Sequence, residues 1–250
     1  MKKTILFSLL FTTIFSIAQT PLHEFNFDGS LVNTNKSSSF FGNATFCKDR
    51  SGIDKKAIRL TNEGLIANIV NLPQSNAPRT VSIWIKFNDI TNSNYIWGYG
   101  AAASNQFCGL IHQGTDSGES LLNVAAWGHK NDFVMTLPLA KGIWYNYTYV
   151  YDGKNAAIYR NGVLIENYLA PNRNTTGLFF KLGNINSLIS INADIDELKI
   201  YDTALSHEEI ITQYNTGASL IVAENPSSLK KGKGTVKNKL PISKAIALNK

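Results

Sequence analysis

Cysteine is scarce: the 250 residues hold two, Cys47 and Cys108. That excludes a small disulfide-stapled scaffold, and a chain of this length can build its core without such a bond. If the chain is exported, the two thiols can either bridge or stay apart as small buried hydrophobes; spacing does not decide between them. Long apolar runs are missing after Ile17, so no later segment is predicted to span a membrane. Metal-ligand spacing is missing too. Of His23, His112, His129 and His207, no two lie four apart, and there is no His-Glu-x-x-His or Cys-His cluster. The chain also lacks a Gly-x-Ser-x-Gly elbow and a phosphate loop.

Acidic residues are absent from both ends, and this skews the charge. The formal net charge is +6, with 24 basic and 18 acidic residues. Lys2 and Lys3 lie at one end and seven lysines, from Lys230 to Lys250, at the other. The middle, 19–224, has 15 basic residues against 18 acidic and is mildly acidic. A nucleic-acid partner is therefore not expected for the folded part. Lys2 and Lys3 precede the apolar run Ile5–Ile17, and Ser16-Ile17-Ala18 puts small residues at the cleavage positions. Residues 1–18 read as a secretory signal peptide, too short to span, which predicts a secreted, cell-surface or periplasmic protein. Residues 218–250 read as a basic, solvated tail. It serves either as a charge-based anchor to anionic envelope polymers or lipids, or as the remnant of a sorting region or a plain solvated end.

Between these ends the pattern is that of strands. In Trp144–Tyr151 the tyrosines 145, 147, 149 and 151 alternate with Asn146, Thr148 and Val150, a period of two. Asp152-Gly153 turns the chain, and the next strand, Ala156–Arg160, ends on Asn161-Gly162. Both are hairpin signals. Consecutive antiparallel hairpins predict a sandwich or barrel and rule out most enzyme folds built on parallel sheets. Val81, Ile83, Ile85 and Phe87 share one strand face, and many short strands with Gly, Asn and Ser turns follow. Ser206-His-Glu-Glu209 is a capping box that opens one short helix, with Gly217 as its expected stop. Leu220–Ala223 could add one more strand.

The order of Trp144, the Tyr151-Asp-Gly153 turn and the strand closing on Asn161-Gly162 resembles the laminin-G-like domains of the concanavalin A-like lectin/glucanase superfamily. So do Arg79–Phe87 with Trp84, the Ala193–Ser206 segment, and Asn26-Phe-Asp-Gly-Ser30. The resemblance runs from about Phe25 to Tyr214. It implies an all-β, antiparallel jelly-roll β-sandwich over 19–217 with one short C-terminal helix. It also implies a non-catalytic carbohydrate-binding module, whose partner is a glycan or cell-surface polysaccharide. A laminin-G-like module that binds a surface protein without sugar affinity is the alternative. The superfamily's glucanases carry a Glu-x-Asp-x-x-Glu strand, and none occurs here; Asp194-Ile-Asp-Glu197 is its nearest imitation and falls in the closing strand. No catalytic residue is assigned. A hydrolase would have to draw on Asp116, Glu119 or Asp132.

Two groups of side chains are candidates for binding. Aromatic faces stack on the C–H faces of sugars, while polar neighbours fix orientation. Tyr95, Trp97 and Tyr99 share one face by parity, Trp127 and His129 end another strand, and His112 ends a third. Trp97, Tyr99, His112, Trp127 and His129 form the expected sugar platform, although such stripes also build cores. Asp196 shares parity with Leu198 and Ile200 and is expected to face inward, where a carboxylate must be paired or hold a metal. The resemblance implies a structural Ca²⁺ between the first and last strands, with Asp28 and Asp196 at the matching positions. A purely hydrogen-bonded arrangement is the alternative.

Overall fold

The computed structural model describes residues 19–128, 130–185 and 189–223. The signal-peptide reading, His129 and the tail beyond Ala223 lie outside the described residues.

Turn chemistry and alternation build two antiparallel sheets. One contains β1 (His23–Phe25), β2 (Thr45–Cys47), β3 (Ala57–Thr61), β5 (Arg79–Phe87), β10 (Trp144–Tyr151), β11 (Asn155–Arg160), β12 (Val163–Leu169) and β14 (Asn192–Tyr201). The other contains β4 (Leu65–Asn68), β6 (Asn94–Gly100), β7 (Phe107–His112), β8 (Glu119–Ala125), β9 (Phe133–Pro138) and β13 (Phe179–Leu182). The first runs β12-β11-β10-β5-β14-β3-β2, with β1 also on β14; the second runs β4-β13-β6-β7-β8-β9. In the β10–β11 turn, Asp152 Oδ1 accepts from the Lys154 and Asn155 amides at 2.8 and 2.6 Å. Asn161 and Gly162 both take positive φ, 54° and 74°, as a tight hairpin to β12 requires.

The alternation of β5 and β10 decides what lies between the sheets. Val81, Ile83, Ile85, Phe87, Tyr147, Tyr149 and Tyr151 face the core, where they meet Trp97, Tyr99 and Phe180. Burying each large side chain there contributes about 1.5–3 kcal/mol. The outer faces of β5 and β10 are also covered, because α1 (His207–Ala223) lies over the sheet through Ile210. Its capping box is made as the sequence predicts. The Ser206 amide donates to Glu209 Oε2 at 2.7 Å and the Glu209 amide to Ser206 Oγ at 3.3 Å.

Gly217 does not stop the helix, which continues to Ala223 and replaces the strand expected over Leu220–Ala223. The glycine serves close approach instead. A Cβ there would lie 3.2 Å from Trp84 Nε1, and Tyr214, one turn earlier, stacks on the Trp84 ring at 5.6 Å. Cys47 and Cys108 are both free thiols, so the bridged alternative is not realised.

Candidate functional site

Two irregularities in the strands re-aim the side chains that alternation had assigned. In β6 the register shifts between Tyr95 and Trp97. Ile96, Trp97 and Tyr99 enter the main core, whereas Tyr95 joins Phe107, Ile111 and Ala125 on the outer side of that sheet. The three aromatics therefore do not share one face. Trp97 is buried and stacks on Phe180 at 5.8 Å. Tyr99 is buried, donates to the Pro73 carbonyl and accepts from Arg79 Nη1 at 2.8 Å. Neither offers a ring to a ligand.

His112 is also withdrawn from the platform, being completely buried. Ser120 Oγ donates to the Gln113 carbonyl at 2.7 Å, so it accepts from His112 Nδ1 at 2.7 Å. Nε2 then accepts the Tyr147 hydroxyl proton at 2.8 Å. Burial pushes the imidazole down to about 3, so it stays neutral. This is a satisfied core histidine.

Trp127 alone among the described platform residues reaches solvent, with 39% of its surface exposed. It sits just after β8 with φ of 71°, a backbone conformation that costs a non-glycine residue about 1–2 kcal/mol. The turn around it holds that strain. Asn131 Nδ2 donates to the Trp127 carbonyl at 2.9 Å and to Ser104 Oγ at 2.8 Å, and the Ala126 amide donates to Asp132 Oδ1 at 2.7 Å. The indole meets Phe107 at 5.5 Å with its plane tilted by 64°.

Phe107 has a seat prepared by two glycines. Gly98 and Gly109 pair across β6 and β7. A Cβ on Gly98 would lie 2.7 Å from Phe107 Cζ, and one on Gly109 2.7 Å from Phe107 Cε1. The ring therefore lies over this pair, and larger residues would lift it. Beside it opens a groove of about 400 Å³ that crosses the outer face of the second sheet. Trp127, Phe107, Phe179, Ile66 and Lys181 line it together with the Gly98-Tyr99-Gly100 segment, to which Tyr99 contributes although its ring is buried. Lys181 Nζ donates to the Ile185 carbonyl at 3.3 Å and is the cation of the lining, which contains no carboxylate among the described residues. Asp132 is tied to the Ala126 amide, and Asp116 and Glu119 do not line the groove. The sequence reading missed Phe107, Phe179 and Lys181. The Gly-x-Gly of 98–100 facing Gly109 was the available signal for the first.

The second irregularity is in β14, where the register shifts between Asp196 and Lys199 and Glu197 takes φ of 44°. The partner on that edge changes here from β3, paired with 192–195, to β1, paired with 198–200. The extra residue inverts parity: Ala193 and Ile195 face the core before it, Leu198 and Ile200 after it. Asp196 therefore points outward, contrary to expectation, into a polar cleft lined with Asp28, Asp49, Arg50, Lys56 and Glu197.

Both carboxylates at the expected calcium positions already meet a protein cation. Asp196 Oδ2 accepts from Arg50 Nη1 at 2.5 Å, and Asp28 Oδ2 from Lys56 Nζ at 2.8 Å. Burial, with Glu197, Asp49 and Asp28 adding to it, pushes Asp196 upward against the pull of Arg50. Glu197, which burial alone would raise, is held low by Lys199 and Arg50. Asp49 Oδ1 accepts from the Ser51 and Ile53 amides at 2.9 and 2.8 Å. Among the described residues no three His, Cys, Asp or Glu side chains gather as a metal cage. Calcium takes six to eight oxygens, and with Arg50 and Lys56 already on these carboxylates the donor set is not open to it.

A family model described as the concanavalin A-like lectin/glucanases superfamily matches residues 61–211. No curated protein matches the sequence. Among solved structures, domain 4 of AbnA, a GH43 extracellular arabinanase from Geobacillus stearothermophilus, in complex with arabinotriose, is similar at TM-score 0.63 and 22% identity, over 77% of this chain and 97% of that one. The binding domain of botulinum neurotoxin serotype G is similar at TM-score 0.62 and 14% identity, over 80% of this chain and 52% of that one. The receptor-binding domain of botulinum neurotoxin D gives TM-score 0.60 and 16% identity, over 79% and 52%. The chain thus spans about half of the toxin domains. At these identities the likeness is one of fold.

Proposed function

The chain belongs to the concanavalin A-like lectin/glucanase superfamily, and from that premise we propose that it is a non-catalytic carbohydrate-binding module whose site is the groove between Trp127 and Phe179. One observation carries the reading. A partly exposed indole is held at an unfavourable backbone angle against Phe107, itself seated on a glycine pair, beside a cleft large enough for one or two sugar rings. A left-handed backbone held at an exposed aromatic that stands beside a cleft supports a binding role. The absence of acids from the described lining supports binding without hydrolysis, since a retaining mechanism needs two carboxylates about 5–5.5 Å apart. That the AbnA domain was solved with arabinotriose makes arabino-oligosaccharides the first probes. A glycan array spanning these and other plant and envelope polysaccharides tests the reading. Saturable binding to at least one glycan is expected, and no hydrolysis products should accumulate on it. Product release would make the module an enzyme.

A second reading is favoured by one specific feature. Phe41 and Phe179 are 68% and 59% exposed, and Ile66, bridged to Phe41, lies in the same groove. Apolar surface of this kind suits a protein partner. In that case no glycan on the array would bind, and Phe41→Ala would weaken capture of a surface protein.

A further inference from the structure

We infer that the guanidinium of Arg50 stands in for a divalent cation at the junction of the first and last strands, so that this domain joins its acidic cluster to helix α1 without calcium. The side chain is only 3% exposed, and its donors fan out to three oxygens from two elements. Nη1 reaches Asp196 Oδ2 and Nη2 reaches Glu197 Oε1 at 2.7 Å, both at the β14 bulge. Nε donates to the Gly217 carbonyl of the helix at 3.3 Å. The guanidinium also lies 4.8 Å from the Trp84 ring, on which Tyr214 stacks.

Two carboxylates and a backbone carbonyl are oxygens that a hard cation gathers. Here a planar fork of N–H donors gathers them instead. The remaining acids have their own partners, Lys56 on Asp28 and Lys199 at 3.3 Å from Glu24 Oε1. A calcium ion among these oxygens would face the guanidinium at close range. Displacing Arg50 to admit it would remove the contacts on Trp84 and Gly217 as well. The local sequence aims the arginine. Asp49 caps the Ser51 and Ile53 amides, and Gly52 takes φ of 84°, which folds residues 49–53 into a turn with Arg50 projecting toward β14.

The test is thermal unfolding of the full chain in calcium chloride and in EDTA, with Arg50→Ala and Arg50→Lys alongside, and calorimetric titration of calcium into the chelator-treated protein. The wild-type midpoint is expected to be the same in both buffers, with no saturable calcium heat, since ligand binding at saturation would raise it by several degrees. Arg50→Ala is expected to melt lower in EDTA and to recover with calcium, because the vacated oxygens then accept the ion. Arg50→Lys should melt below wild type and remain insensitive to chelator. A fall of several degrees for the wild type in EDTA, or a saturable calcium heat, overturns the inference. So does an Arg50→Ala protein as stable in EDTA as the wild type. Should Arg50→Ala fail to fold, the wild-type arms still decide.

Discussion

The Phe107 ring lies across the Cα atoms of Gly98 and Gly109, close enough that a methyl group on either glycine would enter its van der Waals space. Gly98→Ala is the direct consequence to measure. The backbone angle at Gly98 is an ordinary one, so the penalty is purely steric. The new Cβ would sit 2.4 Å from Tyr95 Oη and 2.7 Å from Phe107 Cζ. Overpacking of this sort costs about 1–3 kcal/mol. The midpoint of unfolding should fall by roughly 2–4 °C per kcal/mol, and glycan affinity should fall with it, because Phe107 supports Trp127. An alanine variant with unchanged melting would show that the ring is free to move.

His112 gives the fold a pH dependence. Its imidazole titrates near 3 in the folded state, against about 6.5 when unfolded. Between those values the unfolded chain binds the extra proton. Stability therefore falls as pH drops through that window, by up to about 1.4 kcal/mol per pH unit, and the full contribution is present above about pH 6.5. His112→Gln should lose about 1–3 kcal/mol at neutral pH, from the broken Ser120 and Tyr147 contacts, yet show a flatter profile between pH 6.5 and 3. Denaturant melts across that range read both effects. Parallel profiles for the two proteins would contradict the assignment.

The two thiols provide a third check. Cys108 is fully buried, and burial, with Asp194 adding to it, raises Cys47 to about 11. Neither thiol is activated for attack. Both should titrate with a disulfide reagent in denaturant and react only slowly in the native protein. A reducing agent should leave the melting temperature unchanged. A melting temperature that falls on reduction would mean that the cysteines bridge.

What could be read in the sequence was local. Asp152-Gly153, Asn161-Gly162 and Ser206–Glu209 specify turns and a cap through contacts within four residues, and each forms as expected. The alternation of Val81–Phe87 likewise needs no distant partner. The candidate site was read less well because two single-residue register shifts, at Tyr95–Trp97 and at Asp196–Lys199, invert parity beyond them. A bulge is set by which strands lie alongside, and here one marks the exchange of β3 for β1 along β14. The Arg50–Asp196 pair joins residues 146 apart in sequence, so no spacing rule points to it. Gly217 signalled a helix stop by its type, but its role is contact with Trp84.

The most direct test of the binding site is titration calorimetry of the wild type and Trp127→Ala with the best glycan from the array. The indole is partly exposed and outside the main core, so the variant should fold and melt within a few degrees of the wild type. Losing a stacking face should weaken binding about tenfold or more, the equivalent of about 1.4 kcal/mol. Equal affinity in the two proteins, or no glycan bound by the wild type, would contradict the assignment of the groove as a carbohydrate site.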